Sequence, residues 1–411
     1  YSSAASDVYK RQRFNRESWS GRSQYVVPTV IVILTLALIL VPIGAMVMFS
    51  FRDGTPWNPG PLSLSNYIGA YGDPQTYQIF GNTLILAVAS TIFSVFVAIL
   101  FAFLTERTDL PYRNVAWGLM LVPMAMPGLL FAVSWTILLS PRIGIFNVWM
   151  REIAGLFGHE MTEGPLSIYN IWGMIFLEGL RGVSTTFLIM VGAFRAMDPS
   201  LEEAARTAGA SNLTTFRRVS LPILTPALLA ATMYSFMTHL ESLEIPLIIG
   251  LPAKFYVFPT YIYFTTQRYT PPEYGLAAAL GATFLLVSIL LVYWYRKIVG
   301  QSGRFATVTG KGYRPRIIHL GRWRILFFAI FIVYFLLTIA APAAALLWSS
   351  FLPIPMAPSW ELLDSLTLKN YIKTFGDDDI WEVIWNTLLI AVGAATLTMV
   401  MALTIAWVVV R

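Results

Sequence analysis

Glu203-Ala204-Ala205-Arg206-Thr207-Ala208-Gly209, followed after nine residues by Val219-Ser220-Leu221-Pro222, lies between two long apolar segments of this 411-residue chain. The stretch specifies a helix, a stop and a second helix. Asp198 is a candidate N-cap, Pro199 suits a first helical turn, and Glu202 and Glu203 put negative charge near the positive end of the helix dipole. A helix is therefore expected from Pro199. Gly209 is the residue suited to a left-handed C-terminal stop, and Ser211 can cap a second short helix running toward Leu221-Pro222. Ala204, Ala205 and Ala208 offer a face of small side chains, bordered by Glu203 and Arg206, on which another protein's surface could close. The loop 197–222 has the expected shape of a plug for a groove. The plainer alternative is a solvated amphipathic connection between two spans.

Composition fixes the setting of this loop. With 56% hydrophobic and 12% charged residues and a mean hydropathy of +0.65, the chain is expected to be an all-α, polytopic membrane protein. Apolar stretches able to cross about 30 Å of hydrocarbon run at roughly 25–50, 78–104, 114–139, 168–194, 221–242, 274–295, 325–351 and 383–410. The segment between the sixth and seventh carries Arg296, Lys297, Arg304, Lys311, Arg314, Arg316, Arg322 and Arg324 with no acidic residue among them, so the positive-inside rule makes it cytoplasmic. Eight alternating crossings then put the N-terminus, with Arg13, Arg16 and Arg22, inside, together with Arg107, Arg113 and the 197–222 loop. The acidic segment with Glu361, Asp364, Asp377, Asp378, Asp379 and Glu382 falls outside. The formal charge of +6 follows from this asymmetry and is no sign of a nucleic-acid partner. Absence of cysteine excludes disulfides, thiolate metal sites and cysteine catalysis.

The chain also repeats. Asn66-Tyr67-Ile68 and Asn82-Thr83-Leu84 recur at a constant offset of 304 residues, as Asn370-Tyr371-Ile372 and Asn386-Thr387-Leu388. Val41-Pro42 and Phe51 correspond to Ala341-Pro342 and Phe351 at an offset of 300. So long a period indicates duplication of a whole six-helix domain, of which the second copy here has two spans. The natural protein is expected to continue, with a second loop of the same kind about a hundred residues past Arg411. Residues 1–12 read as an adapter-derived tail, because Asp7-Val8-Tyr9-Lys10-Arg11-Gln12 resembles a translated transposon end; a genuine polar tail is the alternative.

Catalytic chemistry has no foothold. His159, His239 and His319 fall in three separate segments, which leaves no close metal pair. Thr307-Val308-Thr309-Gly310-Lys311-Gly312 is no phosphate loop, since Phe305 stands where the first glycine belongs and Gly312 where Ser or Thr belongs. The chain is not expected to be an enzyme, and neither a metal site nor a cofactor is expected in it. Ionisable groups within spans are more informative, because each is costly in hydrocarbon unless paired or facing water. Glu178 and Arg181 are three apart on the fourth span and can neutralise each other or line a translocation path. His239, Glu241 and Glu244 precede Pro246, which is expected to bend or end the fifth span, and acids at its outer end are candidates for a gate. The aromatic stretches Tyr256–Tyr263 and Trp294-Tyr295 fit interfacial anchoring belts.

The spacing E-A-A, three residues, G, nine residues, an aliphatic residue, any residue, L-P closely resembles the cytoplasmic loop signature of binding-protein-dependent ABC importer permeases. Val219 is the one departure, where the family usually has Ile. Leu177-Glu178-Gly179-Leu180-Arg181, Met197–Ala205, Pro271-Pro272-Glu273-Tyr274-Gly275 and Gly310–Arg316 further resemble the iron(III)-type subfamily, in which two permease domains are fused. The resemblance implies a type I ABC importer transmembrane-domain fold. It divides the chain into a tail (1–12), a cytoplasmic segment (13–24), a first permease domain (25–295), a basic cytoplasmic linker (296–324) and the start of a second permease domain (325–411). It also implies coupling through Glu203, Ala204, Ala205, Arg206, Gly209, Leu221 and Pro222 to an ATPase subunit dimer, which uses ATP and Mg. A periplasmic solute-binding protein would deliver the solute to a bacterial inner membrane. Thiamine, phosphonate, polyamine or another small solute is the alternative to iron(III). An ion-coupled secondary transporter would account for the spans and their acids, but not for the loop.

Overall fold

The computed structural model describes residues 23–198, 200–267, 270–300 and 317–410. The expected tail 1–12, Arg13, Arg16, Arg22, Pro199 and the linker residues Arg304, Lys311, Arg314 and Arg316 lie outside the described residues. Helices dominate because an apolar chain in hydrocarbon must satisfy its own backbone polar groups. In chain order they are α1 (Ser23–Ser50), α2 (Ser65–Gly72), α3 (Pro74–Arg107), α4 (Arg113–Leu121), α5 (Gly128–Leu139), α6 (Ile145–Leu156) and α7 (Ile171–Ala196). There follow α8 (Ser200–Thr207), α9 (Asn212–Thr215), α10 (Leu221–Leu240), α11 (Phe258–Gln267), α12 (Tyr274–Gly300), α13 (Arg324–Phe335), α14 (Ala341–Ser350), α15 (Lys369–Phe375) and α16 (Asp378–Val410). A single antiparallel hairpin, β1 (Arg52–Thr55) with β2 (Asn58–Leu62), follows α1.

Among the described residues, seven helical segments are long and apolar enough to cross a membrane, and the bent pair α4–α5 makes an eighth crossing if counted as one. The third apolar stretch, expected at 114–139, is a bent pair rather than one continuous helix. Its two halves meet at 99°, at a short 3-10 turn (Val122–Ala125) followed by Pro127, whose ring removes a backbone donor and stops the first half. Elsewhere the ends follow ordinary capping. Asp73 caps α3 by accepting from the Gln75 N–H at 2.9 Å, with Pro74 next in line, and Asn170 caps α7 through the Gly173 N–H at 2.9 Å.

Three clusters hold the helices together. One joins α3, α4, α7, α10 and α13 around Phe101, Phe187, Phe194, Phe331 and Tyr334. A second gathers Trp135, Leu138, Ile145, Ile168, Ile245 and Ile249 on the opposite side of the bend. The third packs Phe258, Tyr261 and Leu280 against Ala70 and Ile79. The Tyr256–Tyr263 stretch therefore turns largely inward rather than serving as a surface belt, because α11 lies on α12 and α3. Trp294 stays exposed, as an anchoring residue would.

The two regions related by the 304-residue offset share a set of matching bonds. The Asn66 amide donates to the carbonyls of Ser50 (3.2 Å) and Arg52 (2.9 Å), and the Asn370 amide donates to those of Ser350 (3.1 Å) and Leu352 (2.9 Å). The Tyr67 hydroxyl meets Ser50 Oγ at 2.9 Å, and that of Tyr371 meets Ser350 Oγ at 2.6 Å. Phe51 tilts against Tyr67 as Phe351 does against Tyr371. The helix α13, which opens the second of these regions, packs inside the first cluster, where the Tyr334 hydroxyl donates to the Leu180 carbonyl at 3.1 Å and meets Ser184 Oγ at 2.8 Å.

Candidate functional site

The loop begins as its residues require. Asp198 Oδ1 accepts from the Ser200 N–H at 2.9 Å, and α8 then runs for two turns. Gly209 stops it with φ at +91°, a left-handed conformation that glycine adopts without penalty. The Gly209 N–H donates to the Arg206 carbonyl at 2.9 Å and the Ala210 N–H to the Ala205 carbonyl at 3.0 Å, so the last carbonyls of the helix are satisfied. Ser211 Oγ accepts from the Thr214 N–H at 3.2 Å and starts the next helix. That second helix is not separate: α9 continues through a π turn (Phe216–Ser220) into α10, and the span runs unbroken from Leu213 to Leu240.

Leu201, Ala204, Thr207, Ala208 and Gly209 are exposed, while Glu203, Ala205 and Arg206 are half-buried. The outward face of α8 is small and open. Leu221 is half-buried and Pro222 exposed, at the first turn of α10. Glu202, which the sequence marked only as a helix-start charge, turns inward. Its Oε1 accepts from Ser220 Oγ at 2.6 Å and its Oε2 lies 3.5 Å from Arg107 Nε.

The second group of candidate residues converges. Glu178, Arg181, His239, Glu241 and Glu244 all line one cavity of about 570 Å³. Between them stand residues that sequence reasoning did not single out: Met124, Met126, Thr185, Tyr234, Thr238 and Ser242. The cavity lies where α7, the end of α10 and the bend between α4 and α5 meet.

The expected Glu178–Arg181 pair does not form. Arg181 Nη1 instead pairs with Glu244 Oε2 at 2.5 Å, across from α7 to the segment that follows α10. Glu178 is buried and accepts a hydrogen bond from Ser242 Oγ. The α10 helix ends at Leu240, before Pro246 opens a π turn (Pro246–Gly250), so Ser242 and Glu244 sit on irregular backbone that can reach both partners. Gly128 makes the room. A Cβ there would overlap Glu244 Oε2 and the Arg181 guanidinium, so the ion pair rests against bare backbone at the start of α5. Buried His239 bridges helices: Nε2–H donates to the Glu178 carbonyl at 3.0 Å, which fixes the tautomer, and Nδ1 lies 3.2 Å from Thr91 Oγ1.

Among the described residues, no three His, Asp or Glu side chains are grouped to hold a metal ion. The cavity wall mixes ionisable and hydroxyl side chains with apolar ones, and one ion pair crosses it. Eighteen residues of α7 separate Glu178 from Ala196, about 27 Å at 1.5 Å per residue. One helix thus joins the cavity to the loop.

Comparison with known proteins agrees with this architecture. The chain is similar to the ferric transport system permease protein FbpB of Actinobacillus pleuropneumoniae, with 27% identity over 93% of this chain and 53% of that protein. It thus spans about half the length of that relative. It is also similar to the sulfate transport system permease protein CysT of Salmonella typhimurium, with 24% identity over 65% of this chain and 89% of the relative. A solved bacterial ABC transporter involved in the import of the acidic polysaccharide alginate shares the fold, with a TM-score of 0.55 and 19% identity over 68% of this chain and 95% of its own. Residues 94–304, just over half of the chain, match the model of the binding-protein-dependent transport system inner membrane component, and the chain belongs to that family.

Proposed function

We propose that this chain is the membrane-spanning part of an ATP-driven importer of iron(III), coupled to a separate ATPase through α8. The observation that carries the reading is the coupling loop. A short helix with an open face at Ala204 and Ala208, stopped by Gly209 at φ +91°, is built to seat in a groove of another protein. The distribution of basic residues beside the spans supports a topology with that helix and the N-terminus in the cytoplasm and the cavity toward the outer half of the membrane. A binding protein delivers the solute to the outer face. Closure of the ATPase dimer on ATP and Mg draws the cytoplasmic ends together, and the passage opens outward. A shift from 1:99 to 99:1 between two such states needs about 5.5 kcal/mol of differential interaction. The loop must carry that preference.

The cavity supports a cationic solute. Three carboxyl groups, on Glu178, Glu241 and Glu244, face it against the single guanidinium of Arg181. Similarity to a ferric permease over 93% of the chain points the same way. A second reading, another small solute carried by the same machinery, rests on the similarity to a sulfate permease. The matched 304-residue repeat supports a tandem arrangement in which 25–295 forms one permease domain and 325–411 begins another.

Radiolabelled iron(III) uptake by cells producing the complete transporter tests the proposal. ATP-dependent uptake is expected, and it should be abolished by Gly209→Val and by Glu203→Lys while the protein still reaches the membrane. Normal uptake by both variants would overturn the coupling assignment. ATP-dependent uptake of sulfate in place of iron would keep the importer and replace its solute.

A further inference from the structure

Four consecutive residues at the cytoplasmic end of α3, Glu106 to Asp109, hold three separate parts of the molecule at once. Glu106, buried, accepts from Arg113 Nη2 at 2.6 Å and from Arg195 Nε and Nη2 at 3.1 and 3.0 Å, which ties α3 to α4 and to the end of α7. Arg107, also buried, donates from Nη2 to the Phe194 carbonyl at 3.0 Å and faces Glu202 of α8 at 3.5 Å. Glu202 in turn is fixed by Ser220 at the foot of α10.

The next two residues reach the linker. Thr108 pairs with Ile318 as a parallel β-bridge: the Ile318 N–H donates to the Arg107 carbonyl at 2.9 Å, and the Asp109 N–H donates to the Ile318 carbonyl at 3.1 Å. The Asp109 carboxylate accepts from the Leu320 N–H at 2.7 Å and meets His319 Nδ1 at 3.1 Å. Four residues past Leu320, α13 begins, and it is α13 that enters the core of the first repeat.

We propose that residues 106–109 are a transmission node, in which Arg107 takes up displacement of the coupling helix through Glu202 and Asp109 passes it to the linker that leads into the second repeat. Arg107 and Asp109 are positioning residues, and their role rests on the reading of α8 as a coupling helix. The physical basis is stiffness. A buried charge cannot leave its partner without being stranded in a medium that solvates it poorly, so Glu202 and Arg107 move together. The β-bridge and the two contacts to Asp109 do the same for the linker. Consequently α8 need not touch the second repeat to move it.

The test is a distance measurement in the complete transporter reconstituted with its ATPase. Spin labels go at Ala208→Cys, exposed at the end of α8 just before the Gly209 stop, and at Ile325→Cys, exposed on α13. No cysteine in these 411 residues competes for the label. A narrow distribution that keeps its width with and without ATP is expected, because the two sites move as one. Glu202→Gln and Asp109→Asn should each broaden it at least twofold, and both should bring binding-protein-stimulated ATP hydrolysis down toward the basal rate. Asp109 is more exposed than Glu202, so Asp109→Asn carries the test if Glu202→Gln fails to accumulate, and its basal hydrolysis should be unchanged. An unaltered width, or a broadened one with full stimulation, would overturn the node. If Gly209→Val left uptake intact, the coupling reading would fall by itself, and the label distances would still decide whether α8 and α13 are mechanically joined.

Discussion

Arg181 takes its partner from across the cavity, at Glu244, and leaves Glu178, one turn away on its own helix, to Ser242. Spacing of three along a helix makes a contact possible, but worth only a few tenths of a kcal/mol. A partner presented by another element at 2.5 Å wins, even though both side chains keep about two-fifths of their surface open. This is why the sequence singled out five residues that line one cavity and yet suggested a pairing the structure does not make. Gly128→Ala should push the Arg181–Glu244 pair out of its seat, since the atoms nearest the added methyl group are the ends of those two side chains. Uptake should fall several-fold with normal membrane levels of protein, and equal uptake would mean the pair does not gate the passage. Ser242→Ala removes the donor to a buried carboxyl, and leaving such a group unsatisfied costs about 1–3 kcal/mol. Thermal unfolding in detergent should move to lower temperature accordingly.

At the scale of the element, the 197–222 loop was the most legible part of the chain. Asp198, Gly209 and Ser211 each act in the structure as their chemistry requires, because caps and left-handed stops depend on neighbours in sequence. The third span was less legible. Hydropathy counts it as one run, whereas Pro127 and the turn before it break it at 99°. The inward turn of Tyr256–Tyr263 was hidden for a different reason, since aromatic residues suit a membrane interface and a core equally well. Nothing lies within 4 Å of a Cβ at Gly209, so Gly209→Val acts through backbone conformation alone. A left-handed non-glycine residue costs about 1–2 kcal/mol. Hydrogen exchange at the Ala210 N–H, which closes the helix end on Ala205, should quicken by about tenfold. The clasp on the linker has its own signature. The Leu320 N–H and His319 hold the Asp109 carboxyl below the usual carboxylate range. Its contribution is therefore whole above the ordinary aspartate range and is lost as pH falls through the lowered value. The Ala208–Ile325 distance should stay narrow from neutral pH down to the ordinary aspartate range and broaden only in stronger acid.

Over the whole molecule, the repeat was visible as an offset of 304 residues, and the structure gives it matching hydrogen bonds at Asn66 and Asn370. Each asparagine donates to two backbone carbonyls, so Asn66→Ala and Asn370→Ala should lower stability by similar amounts, about 1–2 kcal/mol, in thermal unfolding of the complete transporter. Markedly unequal shifts would mean that the two repeats bear different loads at this position. What no pattern in the sequence announced is the insertion of α13 into the first repeat, with Tyr334 among Leu180, Ser184 and Phe101. Tertiary placement of one apolar helix among many leaves no periodicity to read. The same holds for the junction at Glu106–Asp109, whose partners lie on α4, α7, α8 and the linker.

The account turns on α8 meeting an ATPase, and a photo-cross-linker attached at Ala208→Cys in the complete transporter reads that contact directly. The predicted result is a covalent adduct with the ATPase subunit whose yield changes on ATP binding. An adduct with the binding protein, or none with the ATPase in an assembled and transporting complex, would contradict it.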